Sequence, residues 1–253
     1  MSYFEMILLT CPLIFLSSFI DSIAGGGGLV SLPAYMITGI PVHSAFGCNK
    51  FSASIGTLFS TIRYYKNGKI HIRSAVISAI LSLLGAAIGS KMNLLISTIL
   101  LKKICIFLIP VVAIVVLFGS NRVRLREKML EGRLLYATCA LIGFFVGMYD
   151  GLIGPGTGTF FILAYTSLVG FDYVTASGNA KVANLASNVS SLVVYLLAGK
   201  VYFALAVPAT LCSIAGGWIG SGMAIQKGAR FIKIILVLVL IGIILKLMWD
   251  LYV

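Results

Sequence analysis

The chain has 253 residues, of which 60% are apolar and only 10% charged, with a mean hydropathy of +1.08. Soluble domains carry about 25% charged residues, so a soluble globular domain, a disordered chain and a secreted disulfide scaffold are all excluded. A net charge of +12 would suggest nucleic acid in a soluble protein, but here the basic residues sit between apolar runs, where cytoplasmic loops hold them, and no basic face interleaves with stacking aromatics.

Apolar runs of spanning length recur along the chain, and none alternates as a barrel strand would. A first span is predicted over 4–20, ended by Asp21 and then by Gly25, Gly26, Gly27 and Gly28. Glu5 stands where a signal peptide would be basic, so cleavage is not expected. A short run follows over 29–39, then long segments over 44–65, 74–92 and 103–119, with a short interfacial piece at 93–101. A basic linker at 120–133, with Arg122, Arg124, Arg126, Lys128 and Arg133, divides the chain. Beyond it lie a segment at 134–149, a Gly/Pro break at 150–158, a short run at 159–170, and long segments at 176–198, 201–224 and 231–251. Pro110 and Pro208 fall inside spans and predict kinks. The whole reads as an all-α polytopic membrane protein, one integral domain over 1–253 with about eight long spans and two short helices.

The segments 4–119 and 134–251 read as copies. Asp21 before AGGGG matches Asp150 before GPGTG, and Gly39 matches Gly170. Ala45, Gly47 and Lys50 match Ala176, Gly178 and Lys181, and Gly68-Lys69 matches Gly199-Lys200. Such duplication sets the architecture. If each half crosses five times, counting its short run, twelve Lys and Arg fall on one side and five on the other. With four crossings the best division is eleven to six. Five crossings therefore follow the positive-inside rule better. They place the linker 120–133 in the cytoplasm and make the halves inverted repeats, each with a glycine-broken helix.

Interrupted helices at matching positions point to a transporter site. Backbone leaves the helix at membrane depth only where it is buried in protein or lines a wet cavity. Each break frees the first amides of the short helix that follows, at the positive end of its dipole. The candidate backbone groups are Gly25, Gly26, Gly27, Gly28, Gly154, Gly156, Thr157 and Gly158. Close packing or a tight turn would explain one such break, but two, each beside an aspartate, favour a site.

Asp21, Lys50, Asp150 and Lys181 lie in or near apolar surroundings, where each charge costs about 2.5–3.5 kcal/mol at the bilayer centre. They are expected to face protein or water and to pair. The plain reading is one structural ion pair per half; the functional one gives the lysines to an anion and an aspartate to a proton. Lys181, Asn184 and Asn188 share a helix face, as do Lys50 and Ser54, with Asn49 alongside. A cation among neutral amide and hydroxyl groups suits an oxyanion, although Ser, Thr and Asn also join membrane helices as polar glue. The five cysteines lie singly, and neither a metal nor a cofactor is expected.

The stretch DSIAGGGGLVSLPAYMITGIPVHSAFGCNKFSAS (21–54), with YDGLIGPGTGTFFILAY (149–165) and SGNAKVANLASN (177–188), resembles the two halves of a TauE/SafE-type permease, the sulfite exporter and organosulfonate permease family. The resemblance implies secondary transport of a small sulfur-containing anion such as sulfite, a sulfonate, sulfoacetate or thiosulfate. It further implies coupling to protons without ATP, in the bacterial or archaeal cytoplasmic membrane. By matching position, the family residues are Asp21, Gly25 to Gly28, Asn49 and Lys50, then Asp150, Gly154, Gly156, Gly158, Lys181, Asn184 and Asn188. The expected partners are a small anionic solute, protons and the lipid bilayer, and a homodimer is allowed. Two rivals stand beside this: a passive anion channel, and an intramembrane aspartyl hydrolase built on Asp21 and Asp150. The hydrolase is disfavoured, because a GxGD pattern is missing and lysines would keep both carboxylates charged.

Overall fold

The computed structural model describes the backbone of residues 1–108, 111 and 128–252, and the side chains of 1–108, 111 and 128–228. Among the described residues there are helices and turns but no strand. The helices are α1 (Tyr3–Ala24), α2 (Gly28–Ile37), α3 (Val42–Lys66) and α4 (Ile72–Leu95), then α5 over 98–108. They continue with α6 (Gly132–Leu152), α7 (Thr157–Ala164) with a π-helical end (Tyr165–Val169), α8 (Tyr173–Leu197) and α9 (Phe203–Tyr252).

Each start has a local cause. Ser2 and Glu5 form a reciprocal capping box on α1, and Asp172 caps α8 by accepting from the amides of Val174 and Thr175. The ends differ from the sequence reading. Neither Asp21 nor Asp150 stops its helix; each lies in the last turn, and α1 and α6 run on to Ala24 and Leu152. A carboxylate that finds a buried ammonium does not need water, so the glycines that follow end the helices instead. The predicted interfacial piece at 93–101 divides, its first residues closing α4 and its last opening α5. At Pro208 α9 keeps helical dihedrals, and its break comes at Gly228, with φ 68° and ψ −164°. Pro110 and most of the basic linker lie outside the described residues.

Among the described residues, five helices are long and apolar enough to cross a membrane: α1, α4, α6, α8 and the Phe203–Gly228 arm of α9. The 25-residue α3 is as long but more polar, because Asn49, Lys50, Arg63 and Lys66 lie along it. Helix α4 is apolar outside and small and polar within. On α4, Ile80, Leu84 and Ile88 point outward, while Ser74, Ser78, Ser82, Gly85, Gly89 and Asn93 are buried. That distribution suits a lipid solvent, in which helices associate through small residues and hydrogen bonds rather than the hydrophobic effect.

The helices of one half rest largely on those of the other. Helix α4 packs on α6 and α8, and α9 packs on α1 and α3. At the centre α3 and α8 cross antiparallel. Phe46, near the start of α3, stacks on Tyr195, near the end of α8, with ring centroids 6.4 Å apart. At the other end, a β-carbon on Gly178 would fall 2.0 Å from the carbonyl oxygen of Lys69.

Candidate functional site

Two helix ends meet beside this central crossing. Gly25 caps α1 at φ 80° and donates to the Asp21 carbonyl at 2.8 Å. Gly154, at φ 90°, and Gly156, at φ 83°, carry the chain from α6 into α7. These left-handed turns suit glycine alone. The two breaks also touch through main chain: a β-carbon on Gly25 would fall 2.1 Å from the carbonyl carbon of Gly158. Thr159 secures the crossing, its amide donating to the Gly25 carbonyl at 3.2 Å and its hydroxyl to the Ala24 carbonyl at 2.8 Å. Among the described residues, the amides of Gly27, Gly28 and Gly158 reach no protein acceptor, as expected in the first turn of a helix.

The four charges form two ion pairs. Lys50 Nζ on α3 lies 2.6 Å from Asp150 Oδ2 and donates to Asn188 Oδ1 at 3.1 Å. Lys181 Nζ on α8 lies 2.6 Å from Asp21 Oδ2 and also donates to the Asp21 main-chain carbonyl. The lysine side chains are 1% and 0% exposed, Asp150 is 4% exposed and Asp21 is 19% exposed, so Asp21 is the charge most open to water. The expectation of one pair per half is corrected here. Both pairs cross, each lysine reaching the aspartate of the other half, because α3 packs on α8 and carries each ammonium past its own break.

Between the breaks lies a cavity of about 40 Å³, a few times what one water needs. Its wall includes Asp21, Gly25, Gly27, Gly28, Asn49, Lys50, Asp150, Gly154, Thr157, Gly158, Asn184 and Asn188, all expected from sequence. Four expected residues are not on the wall: Gly26, Ser54, Gly156 and Lys181. Ser54 turns its hydroxyl back to the Lys50 carbonyl at 2.6 Å. Gly26 and Gly156 shape the breaks, and Lys181 is engaged by Asp21. The wall also holds Ser17, Ser31 and Ser213, which sequence reasoning passed over. Ser17 lies one turn before Asp21 on the same face of α1, a spacing that could have revealed it; Ser213 sits far along the chain from all four paired charges and gave no signal.

The arrangement is charge-balanced and rich in amides. Asn188 Nδ2 donates to Asn184 Oδ1 at 3.3 Å, while Asn49 Oδ1 is buried without a partner. An unpartnered buried amide is costly, which is an incentive for a polar solute or water to enter. Among the described residues, no three His, Cys, Asp or Glu side chains are grouped to hold a metal.

A family model described as sulfite exporter TauE/SafE matches residues 10–247. "Probable membrane transporter protein ORF9" of Sinorhizobium sp is 35% identical over 240 residues, covering 93% of this chain and 90% of that one. "Probable membrane transporter protein" of Haemophilus influenzae is 34% identical over 237 residues, covering 93% and 92%. "Probable membrane transporter protein YfcA" of Escherichia coli K12 is 31% identical over 237 residues, covering 93% and 87%. No solved structure matches the chain. Both glycine breaks and both buried lysines fall within the matched residues, and the chain belongs to the TauE/SafE sulfite exporter family, in which the relatives named above are called probable membrane transporter proteins.

Proposed function

We propose that this protein is a secondary transporter that moves a small sulfur-containing anion, of the sulfite, sulfonate, sulfoacetate or thiosulfate class, across the cytoplasmic membrane with protons. The observation that carries the reading is the cavity at the crossed glycine breaks, where Lys50, Asn49, Asn184 and Asn188 share one wall with unpaired main-chain amides. Amide and ammonium donors converging on a small space suit an oxyanion with several oxygens.

Charge balance supplies the coupling. The Lys50–Asp150 pair is neutral, and an anion arriving alone would add an uncompensated charge at membrane depth, which is expensive. A proton taken up by Asp150 releases the Lys50 ammonium, and the anion replaces the carboxylate. One proton and one monovalent anion then enter together with no net change in buried charge.

Alternating access follows if the halves are inverted repeats, two similar bodies rocking about a shared site. The antiparallel contact of α3 with α8 supports inversion. Matched left-handed glycines support the duplication itself: Gly39 and Gly170 at φ 84° and 88°, Gly68 and Gly199 both at 65°. About eight long spans and two short helices, with the linker 120–133 in the cytoplasm, complete the proposed topology.

The test is uptake by proteoliposomes under an inward proton gradient, offered sulfite, thiosulfate, taurine or sulfoacetate. Wild type should accumulate at least one of them and lose accumulation when a protonophore collapses the gradient. Asn184→Ala/Asn188→Ala strands no charge and should cut uptake by about tenfold or more, the worth of lost hydrogen bonds to a charged ligand. Full uptake by that variant, or no uptake of any of these anions by wild type, would reject the site.

A further inference from the structure

Resting on the anion-site reading above, we infer that the two buried lysines do different work: Lys50 is the ammonium that meets the anion, and Lys181 is a strut that fastens the broken end of α1. By sequence the two are matching positions, and by burial they are indistinguishable, at 1% and 0% exposed. Their surroundings differ. Lys50 is on the cavity wall and Lys181 is not.

An ammonium has three protons to give. Lys50 engages two separate elements, standing 2.6 Å from the Asp150 carboxylate on α6 as an ion pair and donating one hydrogen bond to the Asn188 side-chain oxygen on α8. Loss of the carboxylate leaves it held by Asn188 and free to turn to a solute. Lys181 gives both of its hydrogen bonds to one residue, the carboxylate and the main-chain carbonyl of Asp21. That carbonyl also accepts from Gly25. It lies in the last turn of α1, where the helix dipole is negative and a cation is stabilising. Lys181 therefore holds the residue from which the chain departs toward the Gly25–Gly158 crossing.

The sequence around each lysine agrees. Three and seven positions after Lys181 stand Asn184 and Asn188; three and seven after Lys50 stand Ala53 and Thr57. Because the helices are antiparallel, the asparagines of α8 serve Lys50, as the 3.1 Å bond from Nζ to Asn188 attests. Lys181 faces a helix with a methyl group and a single hydroxyl at the matching places. The duplicated pairs have one substrate cation between them.

Two double variants separate the roles, each removing a whole pair so that no buried charge is left alone. Melting temperature of the detergent-solubilised protein would be measured across a sodium sulfite titration, with sodium chloride as control. Lys50→Gln/Asp150→Asn should weaken the sulfite response by about tenfold or more. Lys181→Gln/Asp21→Asn should melt lower without sulfite and, because it also alters the wall at Asp21, shift the sulfite affinity by clearly less than the Lys50 pair does, about threefold at most. If this second variant does not purify, Lys181→Arg and Lys50→Arg replace the pair of tests. Arginine at 181 keeps a cation at the helix end and should keep affinity, whereas arginine at 50 crowds the cavity and should lose it. A tenfold loss in both positions, or retained affinity without the Lys50 ammonium, overturns the division of roles. A wild type whose melting answers to neither sulfite, thiosulfate nor taurine overturns the anion site itself, and the assignment of Lys50 goes with it.

Discussion

A charge placed among helices is stable only in company, and Lys50 and Asp150 keep each other's at 2.6 Å. Breaking a buried pair from one side costs about 3–5 kcal/mol, because the survivor is left charged and dry. Lys50→Ala should therefore lower the melting temperature in detergent more than Lys50→Ala/Asp150→Ala does; an equal or smaller loss in the single variant would mean that water reaches Asp150. At this scale the sequence was informative about which residues matter and silent about who meets whom. Two aspartates and two lysines out of place in apolar runs are conspicuous from their cost alone. Their pairing depends on how α3 and α8 cross, which lies in no local pattern. Serines failed for a related reason: Ser31 and Ser213 look like any small residue in a membrane helix until the cavity wall is known.

The elements end where glycine lets them. Gly25 faces the main chain of Gly158, so Gly25→Ala would drive a methyl group to 2.1 Å from a carbonyl carbon. It should cost about 3 kcal/mol or more. Its neighbour Gly26 has nothing nearer than 3.8 Å to such a methyl, and Gly26→Ala should stay within about 1 kcal/mol of wild type. Thermal melting of the two variants side by side checks this contrast. A second test lies at the start of α8. Burial pushes the Asp172 carboxyl up, but the hydroxyl of Thr175, the amides of Thr175 and Val174 and the Lys69 ammonium together hold it below the usual range. A lowered folded-state value makes the cap stabilising above the unfolded value and progressively less so as pH falls through the folded one. Asp172→Ala should cost about 1 kcal/mol at neutral pH, and the difference from wild type should shrink in melts below about pH 4. Both breaks were legible, since glycines clustered inside an apolar segment interrupt any helix that runs into them. The last turns of α1 and α6 were not, because a paired aspartate continues a helix that an unpaired one would end.

For the molecule as a whole, the five long apolar helices found among the described residues and the repeated glycines could be read from sequence, but the interlocking could not. Hydrophobic runs report that helices span; they do not report that α4 rests on α6 and α8 while α9 rests on α1 and α3. Since each half finds its packing and its counter-charges in the other, neither should be stable alone. Residues 1–127 and 128–253 produced separately should be degraded or aggregate, and produced together should purify as one monodisperse complex. A single half that purified folded would contradict this.

The crossed pairing also has a consequence for manufacture. Asp21 emerges from the ribosome 160 residues ahead of Lys181. At about 5–20 residues per second that is a delay of roughly ten to thirty seconds. Through it, the nascent first portion must enter the bilayer carrying an acid and an amine whose eventual mates do not yet exist. The insertion machinery has to shelter both until translation catches up, and a pause within the linker would prolong the most exposed moment in the protein's life.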